Sequence, residues 1–333
     1  MPAPTLEGQM LCASVYSYAV QSNGSFSSSY PPYDSASGLI APVAIVGGAG
    51  KPHVDACLVG RSSALNAVVV AFRGTLPPTE RGMAPALDWM NDFHAELISV
   101  PGIPGALHAG FWGSLDALWS RLLPQVRALR QAGDKTLPLY LTGHNKGGAM
   151  ATLAAMRFAR LEGIEPAGIF TFAAPKCGDV GFAKAYPFHN IHQRFEFQDD
   201  AVPHLPPSTS LLELLRQVPD IGKRFQALMH WNYTPVGTLR FIHWDHQVRG
   251  ESPELEVERT HHLLRLMAEL QFGTILKAHG ADCGDGYMTA INPTGVCAVS
   301  KPVDVAGLMA ARGHQVSDAV KDAFEKRKLF QAK

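Results

Sequence analysis

At 333 residues the chain is long for one domain, yet it fits a single α/β domain carrying insertions. It is 46% hydrophobic and 17% charged, an ordinary globular composition with ample material for a core. With a formal net charge of +0, nothing argues for nucleic acid or an anionic membrane surface as a partner, and no run nears the roughly 18 apolar residues of a spanning helix. Met1-Pro2-Ala3-Pro4 shows neither a basic n-region nor an apolar h-region. The expectation is a soluble chain, cytoplasmic or secreted with its signal removed.

Residues 1–50 read as an N-terminal extension packed on the core, with a helix over Gly8–Ala19 and a Ser-, Tyr- and Pro-rich surface loop over Ser25–Ser37. The core, 51–272, opens with strands at Ala56–Gly60 and Ala67–Phe72. The second is a continuous β-branched run of the kind covered on both faces in a largely parallel sheet. Arg73-Gly74-Thr75 ends it, and a Pro- and Gly-containing loop follows. His108-Ala109-Gly110-Phe111 leads into a helix over Trp112–Gln131, where Leu115, Leu118, Leu122, Val126 and Leu129 form one stripe and Pro124 predicts a kink.

Leu137–Gly163 follows as a short strand around Leu139–Leu141, a sharp turn at Gly143-His144-Asn145-Lys146-Gly147, and a long apolar helix closed by Gly163. Further strands at Gly168–Phe172 and Gln193–Phe197 complete a doubly wound α/β pattern, a mostly parallel central sheet flanked by helices. From Pro206 the chain leaves the sheet as an insertion, 206–257, with a capping box at Ser210–Glu213 and apolar residues from Leu214 to Met229. This insertion reads either as a helix over the sheet edge or as a cap over the site. Residues 273–333 look like a C-terminal appendage ending in a charged helix around Val316–Leu329.

Strand, glycine-flanked turn and helix form the layout of the nucleophile elbow, G-x-S-x-G, in which the central side chain is lifted to the top of the sheet. Here that residue is Asn145. Asparagine is among the residues that tolerate positive φ best, so the turn keeps its shape. A carboxamide has no hydroxyl to deprotonate and forms no acyl intermediate. Asn145 fits the turn and not the chemistry.

A hydrolytic triad also needs a carboxylate and a histidine, in the chain order nucleophile, acid, histidine for this layout. Asp199 and Asp200 lie just past a strand end, where catalytic groups of such sheets collect. Histidines abound after them. His261 and His262 open an apolar helix, and His243 and His246 flank Asp245 with no further ligand cluster to make a metal site. Cys283 and Cys297 share a loop-rich stretch, so their pairing and five free thiols are both open.

Val70-Ala71-Phe72-Arg73-Gly74-Thr75, Asp88-Trp89, His108-Ala109-Gly110-Phe111, the elbow, Ala174-Pro175-Lys176 and Asp200-Ala201-Val202-Pro203 stand in an order that resembles the class 3 (fungal-type) lipase family of α/β-hydrolases. The resemblance covers roughly residues 55–270. It implies a carboxylic ester hydrolase acting on acylglycerols or related acyl esters, with transient contact to a lipid interface and neither metal nor organic cofactor. It places the nucleophile at 145, the acid at Asp200 and the base at His262, with His261 as runner-up. The oxyanion donors are then the backbone N–H groups of Thr75 and Lys146. Loop 76–89 takes the place of a lid, with Met83, Leu87 and Trp89 toward an apolar substrate. Asn145 leaves two readings, a lipase whose serine has been replaced, which is preferred, and a natural non-catalytic lipid- or ester-binding member. An acyltransferase on the same site differs only in the acyl acceptor.

Overall fold

The computed structural model describes residues 5–28, 31–47, 55–75, 96–132, 134–206, 232–268, 274, 277–281, 283, 286–291 and 295–298. The expected lid loop with Met83, Leu87 and Trp89, the capping box and apolar run of the insertion, and the charged helix around 316–329 lie outside the described residues. In chain order the elements are α1 (Leu6–Tyr16), α2 (Pro31–Ser37), β1 (Leu39–Gly47), β2 (Asp55–Ser62) and β3 (Ala67–Phe72). A hairpin of β4 (Leu97–Val100) and β5 (Ile103–His108) follows, then α3 (Ala109–Arg130) and the short pair β6 (Gln131–Ala132) and β7 (Lys135–Thr136). Next come β8 (Leu139–His144), α4 (Lys146–Glu162), β9 (Gly168–Phe172), α5 (Val180–Ala185) and β10 (His192–Phe197). The last are β11 (Thr238–Ile242), β12 (Val248–Arg249), α6 (Pro253–Ala268) and α7 (Tyr287–Ile291).

Eight strands form the central sheet in the order β1-β2-β3-β8-β9-β10-β11-β12. β3, β8, β9, β10 and β11 pair in parallel, and the strands at both edges are antiparallel. β3 and β9 are buried at every residue, as apolar runs without polar alternation should be when helices cover both faces. The two-residue period sorts their side chains. Val68, Val70 and Phe72 face a layer with Leu118 and Leu122 of α3 and Met150 and Leu153 of α4. Val69 and Ala71 face a second layer with Met10 and Leu11 of α1 and Tyr287 and Met288 of α7.

That second layer takes in residues from both ends of the described chain. The first fifty residues supply a covering helix and an edge strand of the sheet. α1 starts where the Thr5 hydroxyl accepts the Gly8 N–H at 3.1 Å, and it is buried from Gly8 to Tyr16. Its Ser14 hydroxyl lies 2.8 Å from the Thr142 hydroxyl of β8. β1 and α2 occupy part of the stretch expected to be soft or a loop. β1 is an edge strand with Ile40 59% exposed and a register shift between Ile40 and Val43, which erases the alternation that would reveal it.

The described residues of 273–333 include several that are buried with the core. α7 packs in the second layer, and a Cys283–Cys297 disulfide closes the segment on itself. The expected 206–257 insertion returns to the sheet as β11 and β12. α6 then docks beside β10 and β11, with Arg259 paired to the buried Glu196 and Leu255 packed on Leu239 and Phe241. α3 runs through Pro124 for 22 residues. Pro124 and Ser120, whose carbonyl loses its helical donor, are both exposed, so the missing bond falls on the solvent side of the helix. α4 ends as expected at Gly163, which is left-handed at φ +66°, with the Ile164 N–H returning to the Phe158 carbonyl at 2.8 Å.

Candidate active site

The turn between β8 and α4 holds Asn145 at φ 57° and ψ −133°, a conformation that side chains rarely adopt. Two glycines make it possible. A Cβ on Gly143 would overlap the Gly147 carbonyl, and one on Gly147 would overlap the carbonyl oxygen of Phe72 at the end of β3. The Asn145 N–H donates to the Phe172 carbonyl at 2.9 Å, which fixes the turn to β9. Asn145 is buried, and its Oδ1 accepts the Lys146 N–H at 2.6 Å. The backbone donor expected for an oxyanion therefore points at the residue's own carbonyl. The Lys146 side chain turns away and donates to Asp55 at 2.6 Å and Ser114 at 3.2 Å.

His144 links the elbow to both ends of the chain. One ring nitrogen, Nε2, lies 2.9 Å from the His279 carbonyl, which only accepts, so Nε2 carries the hydrogen. Nδ1 then accepts from the Tyr18 hydroxyl at 2.9 Å. Burial, reinforced by the charge of His279, pushes the His144 pKa down to about 3, and the ring is neutral across the physiological range.

Asp200 stands past the end of β10, almost fully buried. Its loop continues into a short turn at Val202–His204, which the Lys176 ammonium pins by donating to the His204 and Pro206 carbonyls at 2.7 and 3.1 Å. Burial raises the Asp200 pKa. The charge of His279 and hydrogen bonds from His279, Tyr287 and the Val202 N–H outweigh it, and the carboxyl titrates below its ordinary value. His279 Nδ1 lies 3.0 Å from Oδ1 and 3.2 Å from Oδ2, and the Tyr287 hydroxyl donates to Oδ2 at 2.7 Å. Tyr287 in turn accepts the Phe197 N–H at 3.0 Å.

The histidine that meets Asp200 is thus His279, in place of His262. His262 Nδ1 is 3.4 Å from Asp199, and its ring stacks on Trp244 with centroids 4.1 Å apart. Trp244 also donates to Asp199 at 3.0 Å. The two neighbouring aspartates diverge after Gln198, which takes a positive φ of 38°. Asp199 goes to α6 and Asp200 goes to the C-terminal segment. His261, the runner-up, faces solvent. Thr75 lies half-buried in the segment that follows β3. His243 pairs with Asp245 and Glu258, and among the described residues no group of three His, Cys, Asp or Glu side chains is placed to hold a metal.

Sequence reasoning missed His279, Tyr287 and Tyr18. One signal was present for the first two: Cys283 and Cys297 lie in the same stretch, and their pairing closes it into a loop.

A parallel sheet with covering helices, an elbow after its central strand and an Asp–His pair at its carboxyl end make up the α/β-hydrolase fold. The crystal structure of mono- and diacylglycerol lipase from Aspergillus oryzae shares this fold, at a TM-score of 0.53 and 18% identity over 73% of this chain and 84% of that one. Residues 69–210 match the family model for lipase (class 3). Over 144 residues the chain is 31% identical to secreted mono- and diacylglycerol lipase A of Penicillium cyclopium, covering 42% of this chain and 43% of that protein. It is 35% identical over 107 residues to a lipase of Rhizopus oryzae, covering 31% and 27%. The chain spans less than half the length of these curated relatives. No described helix is long and apolar enough to cross a membrane.

Proposed function

We propose that this site is that of a carboxylic ester hydrolase for acylglycerols or related acyl esters, with its nucleophile position occupied by Asn145. The observation that carries the reading is the contact of His279 with the buried, ionised Asp200 beside the elbow. With serine at 145, the hydroxyl would attack the ester carbonyl while His279 takes its proton through the ring nitrogen turned away from Asp200. Asp200 would hold the ring and offset the positive charge that forms on it. The Lys146 N–H, with Thr75, would receive the developing oxyanion. Water then releases the acyl group by the same route. The chain with Asn145 forms no acyl-enzyme.

The test is Asn145→Ser, assayed beside the parent on a short and a long p-nitrophenyl ester. The serine form is expected to turn over and the parent to remain at background. A folded serine form inert on both esters would sink the hydrolase reading. It would favour the second one, a binding protein, which the capping of the Lys146 N–H by Asn145 itself supports.

A further inference from the structure

An acyl-transfer cycle has two halves, and only the first needs a nucleophile. In the second, water attacks a carbonyl tethered at the elbow, a histidine takes the water's proton, and a backbone N–H holds the oxyanion. Asn145 presents a tethered carbonyl of its own. Its Oδ1 already accepts the Lys146 N–H at 2.6 Å. The residue is 3% exposed, so the amide is held out of bulk water. The ring of the next residue upstream, His144, lies 4.8 Å from that of His279, whose Nδ1 is on Asp200.

We propose that Asn145 is a built-in substrate: the Asp200–His279 pair hydrolyses its side-chain amide and converts residue 145 to aspartate. The inference rests on the acid–base reading above. His279 Nε2 takes a proton from one water as the water oxygen bonds to Cγ, and Oδ1 becomes an oxyanion on the Lys146 N–H. The oxyanion collapses, the Cγ–N bond breaks, and nitrogen leaves as ammonia with the proton from His279. One water is consumed, and the products are a carboxylate and ammonium. Tethering replaces a bimolecular encounter, the source of high effective molarity. Ordinary asparagine deamidation runs differently, by attack of the following backbone nitrogen on Cγ, and yields isoaspartate. Direct attack by water gives normal aspartate alone, so the product tells the two routes apart.

The full-length parent chain is held folded at neutral pH in heavy-oxygen water, and the tryptic peptide containing residue 145 is followed by mass. Expected is first-order conversion, independent of protein concentration, to normal aspartate carrying one heavy oxygen. His279→Asn and Asp200→Asn should slow it by on the order of a hundredfold. Unfolding the parent in urea should slow it likewise, a comparison that needs no variant to fold. An amide that converts no faster folded than in urea overturns the proposal, as does isoaspartate appearing equally in His279→Asn. An Asn145→Ser chain that cleaves esters through His279 while the parent amide persists would overturn self-hydrolysis and leave the proposed function standing.

Discussion

The elbow and the C-terminal segment meet at His144 and Asp200, but they reach their positions by different physics. The elbow is local. Strand, two glycines and helix lie within one stretch of chain, and the positive φ of Asn145 follows from close approach of β3, β8 and α4. The C-terminal segment is closed on itself by a disulfide and held to the core at long range by Tyr287 against Phe197 and Asp200 and by the contact of His144 with the His279 carbonyl. A defect in the first should break the fold, whereas a defect in the second should spare the core and empty the site of its base.

The largest effect expected is at the local end. Gly147→Ala puts a methyl group into the Phe72 carbonyl, backbone against backbone, with no flexible side chain to yield. A loss of more than about 4 kcal/mol is expected in urea unfolding, or failure to recover folded protein. Near-parental stability would mean that the elbow is looser than drawn. Next comes the disulfide, which closes a loop of sequence separation 14. Cys283→Ser with Cys297→Ser should cost about 3 kcal/mol. In the Asn145→Ser background it should also lower esterase activity at temperatures where the far-UV circular dichroism of the core is unchanged. Activity and core structure lost together would make the two regions one cooperative unit.

The smallest effect concerns the residue joining them. His144 is neutral in the fold with its pKa pushed down to about 3, whereas in the unfolded chain it titrates near its ordinary value. Between about pH 6 and pH 4 the unfolded chain binds a proton that the folded chain does not, so stability falls as pH falls. His144→Gln should remove up to about 1.4 kcal/mol per pH unit from that slope. An unchanged slope would place the acid sensitivity on other buried groups, such as His192 and His204.

The same contrast explains what could be read from the sequence. The parallel strands β3, β8, β9 and β10, α3, α4 with its Gly163 cap, and the elbow all carry their signals in neighbouring residues, and so does Asp200 at a strand end. β1 could not be read in this way, because an edge strand with a bulge and one exposed face lacks both the apolar run and the alternation. His279 could not either. His262 sits on an apolar helix with the expected leucine beside it, and only packing sends that helix to Asp199 instead of Asp200. Adjacent aspartates that diverge by one backbone step look identical in sequence.

The most direct test of the account is therefore the ester kcat/KM of Asn145→Ser combined with His279→Ala, set beside Asn145→Ser combined with His262→Ala. Loss of about 1,000-fold or more in the first and less than about threefold in the second is the predicted result, the size expected for removal of a general base as against a surface stack. Full activity without His279, or collapse without His262, would contradict it.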